Sequence, residues 1–260
     1  GDPTPTPSPS PTPTPTASPT STPGQNGCVW NFGTAAPVPI MDNAVVTVGS
    51  NLYSFSGVSN GAVVANSSKF DGTMWTAIAP VPTALEYPSA VSDGTNIYII
   101  GGLAGGLATT TVYRYNVGAN TYTTMAPCAV ASWNHASVYL NGKIYKIAGT
   151  DDTPVSLANV EIYDIGSNTW STGAAYPVAQ SFPMAFAQGN FFYVGGGIDA
   201  TSGLETNKTY RYDPATNTWD DLAIADLPAT RWGGAAAFGN CCAGGGVFAG
   251  GYTSGNIAFS

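Results

Sequence analysis

The stretch "VEIYDIGSNTW" at Val160–Trp170 decides the fold, because related copies of it occur on both sides. "KTYRYDPATNTW" occupies Lys208–Trp219, "TVYRYNVGANTY" occupies Thr111–Tyr122, and a version two residues shorter, "SSKFDGTMW", occupies Ser67–Trp75. The aromatic ends of these segments recur about every 47 residues. A fixed period of this length indicates an array of similar structural units.

Each unit contains more than the aromatic segment. An apolar run that ends in small residues precedes it, and such runs are typical of buried strands that end in a tight turn. These runs end at Gly57, Gly102, Gly149, Gly196 and Gly251. Earlier still lies a small-residue strand containing Ala44, Ala90, Ala136, Ala185 or Ala235. Four short strands in a period of 40 to 50 residues predict one blade of an all-β propeller.

The pattern resembles the kelch repeat, in which a Gly pair is followed by a Tyr seven residues before a Trp. "DPATNTW" at Asp213–Trp219 carries this likeness most clearly, and the resemblance covers nearly all of residues 28–260. It implies a kelch-like β-propeller. Kelch-like rings usually have six or seven blades, whereas this chain has material for five four-stranded blades.

The termini predict how the ring closes. The last repeat reaches Ser260 without an outer strand, and "CVWNFGTAAPVP" at Cys28–Pro39 matches an outer strand without its three partners. We therefore expect the N-terminal strand to complete the C-terminal blade, because closure removes exposed strand edges. The same arrangement predicts a disulfide from Cys28 to Cys241 or Cys242. A bridge between Cys241 and Cys242, or free thiols, are the alternatives, and the partner of Cys128 stays open.

Residues 1–26 differ from residues 27–260, the predicted propeller domain. They alternate Pro with Thr or Ser, which favours an extended polyproline-II rod acting as a stalk or linker. This composition is also typical of O-glycosylated stalks and suggests a secreted or cell-surface protein. The candidate O-glycosylation sites are Thr4, Thr6, Ser8, Ser10, Thr12, Thr14, Thr16, Ser18 and Thr20.

Charge and composition exclude several functions. Only seven Lys and Arg residues are present and the net charge is −8, so nucleic acid and anionic membranes are not expected partners. No apolar run approaches the length of a membrane span. With one histidine, His135, a histidine-based metal site or catalytic triad is not expected, and the chain is predicted to use no metal or cofactor. His135 itself is expected to be a hydrogen-bonded residue near the channel.

No catalytic constellation is evident, and the sequence therefore favours a protein that is not an enzyme. Arg114 and Arg211 occupy equivalent third-strand positions, so they belong to the repeat rather than to a sialidase-like arginine cluster. A carboxylate pair for glycoside hydrolysis stays open. The loop carboxylates are those of Asp42, Glu86, Asp151, Asp152 and Asp199.

One set of residues predicts a ligand site. Three residues before each inner-strand alanine lies a large apolar or aromatic residue, and Glu86 and Arg231 flank the set. Aromatic rings with a few polar neighbours at the mouth of the channel suit a sugar or a peptide. Packing between blades is the alternative, because repeated positions are usually structural. The set comprises Met41, Tyr87, Trp133, Phe182 and Trp232.

These patterns lead to two main functional hypotheses, and a protein-interaction propeller fused to further domains is a third possibility. The first is an extracellular structural or adhesive module, such as a surface-fibre subunit that self-associates through its stalk. The second is a carbohydrate-binding or glycan-acting propeller that uses the aromatic mouth. Asn66 and Asn207 begin N-glycosylation motifs between the second and third strands of two blades.

Overall fold

The computed structural model describes residues 33–239, 245–253 and 257–258, and every regular element in these ranges is a β-strand. The predicted stalk at residues 1–26, with its glycosylation sites, lies outside the described residues. So do Cys28, Cys241 and Cys242 and the first five residues of the predicted closing strand, 28–32, whereas residues 33–39 are described and form no strand.

The strands follow the predicted repeat. The first repeat contains β1 (Ala44–Val48), β2 (Asn51–Phe55), β3 (Val58–Ser59), β4 (Ala62–Val63), β5 (Ser67–Phe70) and β6 (Trp75–Ile78). The second contains β7 (Ser89–Ser92), β8 (Asn96–Ile100), β9 (Leu103–Ala104), β10 (Leu107–Ala108), β11 (Val112–Asn116) and β12 (Thr121–Thr124). The third contains β13 (Ala136–Leu140), β14 (Lys143–Ile147), β15 (Val160–Asp164) and β16 (Thr169–Thr172).

The fourth repeat contains β17 (Gln180–Ser181), β18 (Met184–Gln188), β19 (Phe191–Gly195), β20 (Ile198–Asp199), β21 (Thr209–Asp213) and β22 (Thr218–Asp220). The fifth contains β23 (Ala235–Gly239), β24 (Gly245–Ala249), β25 (Tyr252–Thr253) and β26 (Ile257–Ala258). Four antiparallel four-stranded blades result, in the strand orders β1-β2-β5-β6, β7-β8-β11-β12, β13-β14-β15-β16 and β18-β19-β21-β22. The short strands form two-stranded pairs.

The predicted number of five four-stranded blades differs from the four that the described residues show. The fifth repeat contributes two strands, β23 and β24, to one sheet, and β25 and β26 to a short pair. The predicted outer strand of the fifth blade, Cys28–Pro39, is described only from residue 33, and residues 33–39 do not form a strand. The inner strands β1, β7, β13, β18 and β23 contact one another in that order.

Apolar side chains between neighbouring blades form the core. Ile97, Ile99, Phe55 and Tyr115 are buried in one cluster between the first and second blades. A second cluster joins the third and fourth blades and includes Ile147, Val160, Phe192 and Tyr212. The segments "NIYII" and "KIYKI" are buried after their first residue and contact neighbouring blades on both faces, which explains why most of their residues are apolar.

The aromatic segment also joins each blade to the preceding one by hydrogen bonds. Trp219 Nε1 donates to the carbonyl oxygen of Ala174 at 3.0 Å, and the Ala174 amide donates to Asn217 Oδ1 at 2.7 Å. Tyr212 donates its hydroxyl proton to the same Asn217 oxygen. Ala126 is held by the same bonds with Trp170 and Asn168, with Tyr163 donating to Asn168. Ala79 is held likewise by Tyr122 and Asn120, with Tyr115 donating to Asn120.

The first blade makes the corresponding bond to the start of the described chain. Trp75 Nε1 donates to the carbonyl oxygen of Thr34 at 3.1 Å. In the match between "CVWNFGTAAPVP" and "NTWSTGAAYPVA", Thr34 corresponds to Ala174. Trp75 in the first blade therefore bonds to Thr34 as Trp219 in the fourth blade bonds to Ala174 in the third.

Candidate functional site

The aromatic residues singled out in the sequence meet in one cluster where the inner strands begin. The Tyr87 ring centroid lies 5.3 Å from that of Trp133 and 5.8 Å from that of Phe182. Phe182 lies 4.9 Å from Trp232, which lies 5.3 Å from Tyr252. Residues from the second, third, fourth and fifth repeats therefore form a continuous aromatic arc.

A cavity of about 550 Å³ opens beside this arc, and all five repeats line it. This volume lies within the usual range for small-ligand sites. The first repeat contributes Met41, whose side chain is exposed, and Asp42. The lining residues are Met41, Asp42, Asn43, Tyr87, Pro88, Asn134, His135, Phe182, Pro183, Trp232, Gly233, Gly234 and Tyr252.

The prediction that these residues occupy one equivalent position in every repeat is wrong in the second and fourth repeats. Trp133 and Trp232 form β-bridges to Thr150 and Tyr252, whereas Tyr87 and Phe182 come one residue after the bridge position and have left-handed backbones. The inner-strand register explains the shift, because Ser89 and Met184, not Ala90 and Ala185, pair where Ala136 pairs in the third blade.

Glycines bring the bridge residues into place. A Cβ at Gly149 would lie 2.8 Å from the Trp133 carbonyl oxygen, and one at Gly251 would lie 2.7 Å from that of Trp232. Both glycines also have positive φ. Gly149 and Gly251 are thus needed, because no side chain fits where the backbone approaches Trp133 and Trp232 at the mouth.

Tyr252 is the aromatic residue that sequence reasoning missed. It follows Gly250 and Gly251 directly and forms the bridge to Trp232. Leu103 and Thr150 occupy the same place after their own glycines and pair with Glu86 and Trp133. A comparison of the residues directly after each Gly pair would have found it.

The ionisable groups of the cavity are engaged with one another. A hydrogen bond links Tyr87 to Asp42. Burial, together with the charges of Asp42 and Glu86, raises the pKa of Tyr87 to about 12. Burial also raises the pKa of Asp42, although the Tyr87 hydrogen bond opposes the shift. Tyr87 therefore keeps its proton at neutral pH.

His135 is a buried, hydrogen-bonded residue, as expected. Its Nε2 lies 2.9 Å from Ser89 Oγ and its Nδ1 lies 3.3 Å from Ser132 Oγ. Burial lowers the pKa of His135 well below its usual value, and the positive charge of Lys146 lowers it further. The imidazole is therefore neutral at pH 7.

An ion pair that the sequence did not reveal holds the loop leading to Trp133. Lys146 Nζ lies 2.8 Å from Glu161 Oε2, and both side chains are almost fully buried. Glu161 Oε1 accepts hydrogen bonds from the amides of Ala129 and Val130, and Lys146 donates to the Val130 carbonyl oxygen. The two charges fix this loop by satisfying its backbone groups. Cys128, at its start, is buried and free.

The other predicted site residues lie around the mouth or away from it. Glu86 is half-buried and pairs with Leu103, and Arg231 Nη1 donates to the Gly250 carbonyl oxygen at 3.4 Å. Asn66 is exposed, whereas the side-chain amide of Asn207 donates to Leu227. Arg211 lies on a third strand, where it pairs with Asp220 at 3.2 Å.

The loop carboxylates do not all reach the cavity. Asp151 and Asp199 accept backbone amides within their own turns, and Asp152 accepts the amide of Ala108 in the neighbouring repeat. Asp42 is the predicted carboxylate that lines the mouth.

Within the described part of the chain, no group of three His, Cys, Asp or Glu residues is arranged to hold a metal ion. In the same part, no helix has the length and apolarity to cross a membrane.

Comparison with known proteins agrees with the repeat architecture. The model of the "KLHDC2/KLHL20/DRC7 Kelch-repeats domain" matches residues 44–241. The chain belongs to the kelch-repeat family. A solved structure described as "Structure of YjhT" superposes with a TM-score of 0.71 at 20% identity, covering 85% of this chain and 75% of that one. This likeness shows the β-propeller fold.

Curated kelch relatives are longer than this chain. Alpha-scruin of Limulus polyphemus is 28% identical over 118 residues, which are 44% of this chain and 13% of the relative. Kelch-like protein 35 of Mus musculus is 30% identical over 116 residues, 44% of this chain and 20% of the relative. Kelch domain-containing protein 3 of Rattus norvegicus is 23% identical over 202 residues, 74% of this chain and 43% of the relative. The chain thus spans less than half of each.

Proposed function

We propose that this kelch propeller is a non-catalytic interaction module of an extracellular surface, with a structural or adhesive role, and that it binds through the mouth of its central channel. The observation that carries the proposal is the cavity of about 550 Å³ to which all five repeats contribute. Single exposed apolar residues are normal on a protein surface, but an aromatic arc beside a cavity marks an interaction site.

The chemistry of the cavity supports binding rather than catalysis. General acid–base catalysis needs a group that titrates near the working pH. His135 is neutral and held between two serines, and Tyr87 keeps its proton because its pKa is raised to about 12. Neither residue therefore supplies a group that titrates near neutral pH.

The second part of the proposal concerns assembly. The Pro/Thr/Ser-rich residues 2–23 favour an extended spacer, and we propose that this stalk contacts a neighbouring subunit in a glycosylated surface fibre. Electron microscopy of the native material tests it. Filaments with propeller-sized beads are the expected result. Monodisperse monomers whose N-terminal segment is cleaved readily by proteases would contradict the fibre.

A glycan-binding or glycan-acting propeller is the second candidate function. The aromatic arc favours it, because sugar rings present flat apolar faces and aromatic rings supply matching surfaces. Binding to a glycan array that is lost in Trp133→Ala and Trp232→Ala would support this candidate. Equal binding by the parent and both variants would remove it.

A further inference from the structure

We propose that the mouth cavity binds a neutral pyranose ring, with the apolar face of the sugar on Trp232 and Tyr252 and a sugar hydroxyl oxygen at the side-chain amide of Asn134. The inference rests on the proposed function of the mouth as a binding site, and it names the class of ligand. Three independent features carry it: an accessible aromatic platform, an unpaired buried amide, and the charge of the lining.

Trp232 and Tyr252 form the platform. Their ring centroids lie 5.3 Å apart with an interplanar angle of 34°, so the two rings overlap as a tilted stack. Tyr252 is 43% exposed, and both residues line the cavity. Phe182 packs against Trp232 at 4.9 Å and supports it. Ring faces that remain accessible beside a cavity suit the C–H face of a sugar.

Asn134 supplies a polar group that the protein does not satisfy. The residue is buried, with 8% of its surface exposed, and it lines the cavity. Asn134 Oδ1 accepts a hydrogen bond from Thr150 Oγ1 at 3.1 Å, whereas Nδ2 is buried without a partner. A buried donor without an acceptor is costly, and nearly all such groups in folded proteins are paired. A sugar hydroxyl oxygen is an acceptor that would pair it.

The charge of the lining selects a neutral ligand. The described residues that line the cavity include neither lysine nor arginine, and His135 is neutral because burial lowers its pKa. Asp42 also lines the cavity, and the chain carries a net charge of −8. A carboxylate or phosphate on the ligand would meet negative potential without a cation to balance it. Sialylated, uronic and phosphorylated sugars are therefore disfavoured.

Asp42 and Tyr87 complete the polar side of the cavity. Asp42 accepts from Tyr87 and has lone pairs left for ligand hydroxyl groups, which donate. The hydroxyl groups of a neutral sugar can donate to Asp42 and accept from Asn134. A proline-rich peptide would also fit aromatic surfaces, but its backbone lacks donors at the prolines and would leave Asp42 unmatched.

The experiment uses the full chain. It is screened on an array of neutral oligosaccharides built from glucose, galactose, mannose and xylose, with sialylated and uronic counterparts alongside. The strongest neutral oligosaccharide is then titrated by calorimetry. We expect binding, and we expect its acidic counterpart to bind at least about tenfold more weakly, the ratio that about 1.4 kcal/mol produces.

Variants then test the named contacts. Trp232→Ala and Tyr252→Ala should each weaken binding roughly three- to tenfold, in line with the energy of an aromatic contact. Asn134→Gly should weaken it by a similar factor. Gly233 occupies the equivalent left-handed position in the fifth repeat, so the backbone should tolerate this change. If Asn134→Gly does not fold, as judged by circular dichroism, Asn134→Asp replaces the amide donor with an acceptor of the same shape.

Phe191→Ala is the matched control, because Phe191 begins β19 at the end of the blade opposite the mouth. It should leave the affinity unchanged. The inference is overturned if no neutral oligosaccharide binds at about 10 mM, above the usual millimolar limit of weak specific binding. Tighter binding of the acidic sugars, or binding of a Pro/Thr peptide in place of any sugar, would also overturn it.

The assay separates this inference from the proposed function. Filaments in micrographs of the native material, together with no sugar binding, would leave the adhesive module standing and remove the sugar. Sugar binding by a chain that is strictly monomeric would remove the fibre and support the pyranose site.

Discussion

At the scale of single residues, the sequence identified side chains by type and period but not by their partners. The period found Tyr87, Trp133, Phe182 and Trp232, which the structure brings into contact. It did not find the pairing of Lys146 with Glu161, because opposite charges on neighbouring strands look like ordinary solvent-facing residues in a sequence. The loop at Ala129 and Val130 contacts Glu161 in the folded chain, and this contact is not visible in the sequence.

The buried pair gives the first prediction. Lys146→Met leaves the Glu161 carboxylate buried without its cation, and we expect it to lower the free energy of unfolding by about 3–5 kcal/mol. The double variant Lys146→Met/Glu161→Leu removes both charges and should recover part of this loss. Urea denaturation measures the three values.

Lys143→Met is the matched control for that prediction. Lys143 and Asp164 form an ion pair at 2.6 Å, but their side chains are 43% and 40% exposed. An exposed pair contributes about 1 kcal/mol or less. Equal losses in Lys143→Met and Lys146→Met would show that burial of the inner pair has no energetic consequence.

His135 makes stability depend on pH. Burial lowers its pKa in the folded protein, whereas the unfolded chain takes up a proton near pH 6.5. The unfolded state therefore binds more protons below pH 6.5, and the free energy of unfolding should fall by up to about 1.4 kcal/mol per pH unit as the pH drops from 6.5 to 5. Above pH 6.5 the contribution is fully present.

Urea denaturation at several pH values measures this dependence, and His135→Asn should flatten the curve between pH 5 and 6.5. A parent protein whose stability is constant over this interval would mean that His135 is protonated in the folded state. The carboxylates with lowered pKa, such as Asp93 and Asp164, titrate at lower pH and do not obscure the window.

At the scale of elements, strand order was predictable because each repeat has the same succession of apolar, glycine-rich and aromatic segments. Register was less predictable. The alignment on Ala90 and Ala185 is one residue out because Ser89 and Met184 occupy the first paired position. No residue is inserted, because a left-handed residue precedes the inner strand at the same spacing in all five repeats, at Asp42, Tyr87, Asn134, Phe182 and Gly233. Alanine occupies the first paired position in only three of the repeats, so aligning on alanine does not give the register.

The bonds between blades give a prediction about elements. Trp219→Phe keeps the packing but removes the donor to the Ala174 carbonyl oxygen, so we expect a loss of about 1–3 kcal/mol. Trp219→Tyr should lose less, because Tyr122 makes the corresponding bond to Ala79 at 3.0 Å in the second blade. Thermal unfolding followed by circular dichroism compares the two. A larger loss for tyrosine than for phenylalanine would contradict a role of the hydrogen bond.

At the scale of the whole molecule, the sequence predicted the propeller architecture. The asymmetry of the mouth was not predictable, because it arises from departures from the repeat. Met41 and Asp42 stand where other repeats place aromatic residues, and Tyr252 adds a ring at a position that Leu103 and Thr150 fill elsewhere. The cavity thus has an aromatic side and a polar side.

Ring closure remains a prediction at this scale. Mass mapping of a nonreduced digest should find a peptide that links Cys28 to Cys241 or Cys242, and reduction should lower the free energy of unfolding by a few kcal/mol, as the chain-entropy model gives for a long loop. Cys128, which is buried and free, should appear as a thiol in the same digest. A digest in which Cys28 is a free thiol would refute the link.

The bonds between blades also bear on how such a molecule can change during evolution. The second, third and fourth blades carry the Tyr, Asn and Trp or Tyr side chains on their own third and fourth strands and the turn between them, and these side chains bond only to a backbone amide and carbonyl of the preceding blade. Backbone groups are the same in every sequence. A duplicated blade therefore brings hydrogen bonds that the backbone of any neighbouring blade can accept, and only its apolar faces must be adapted to pack against that neighbour.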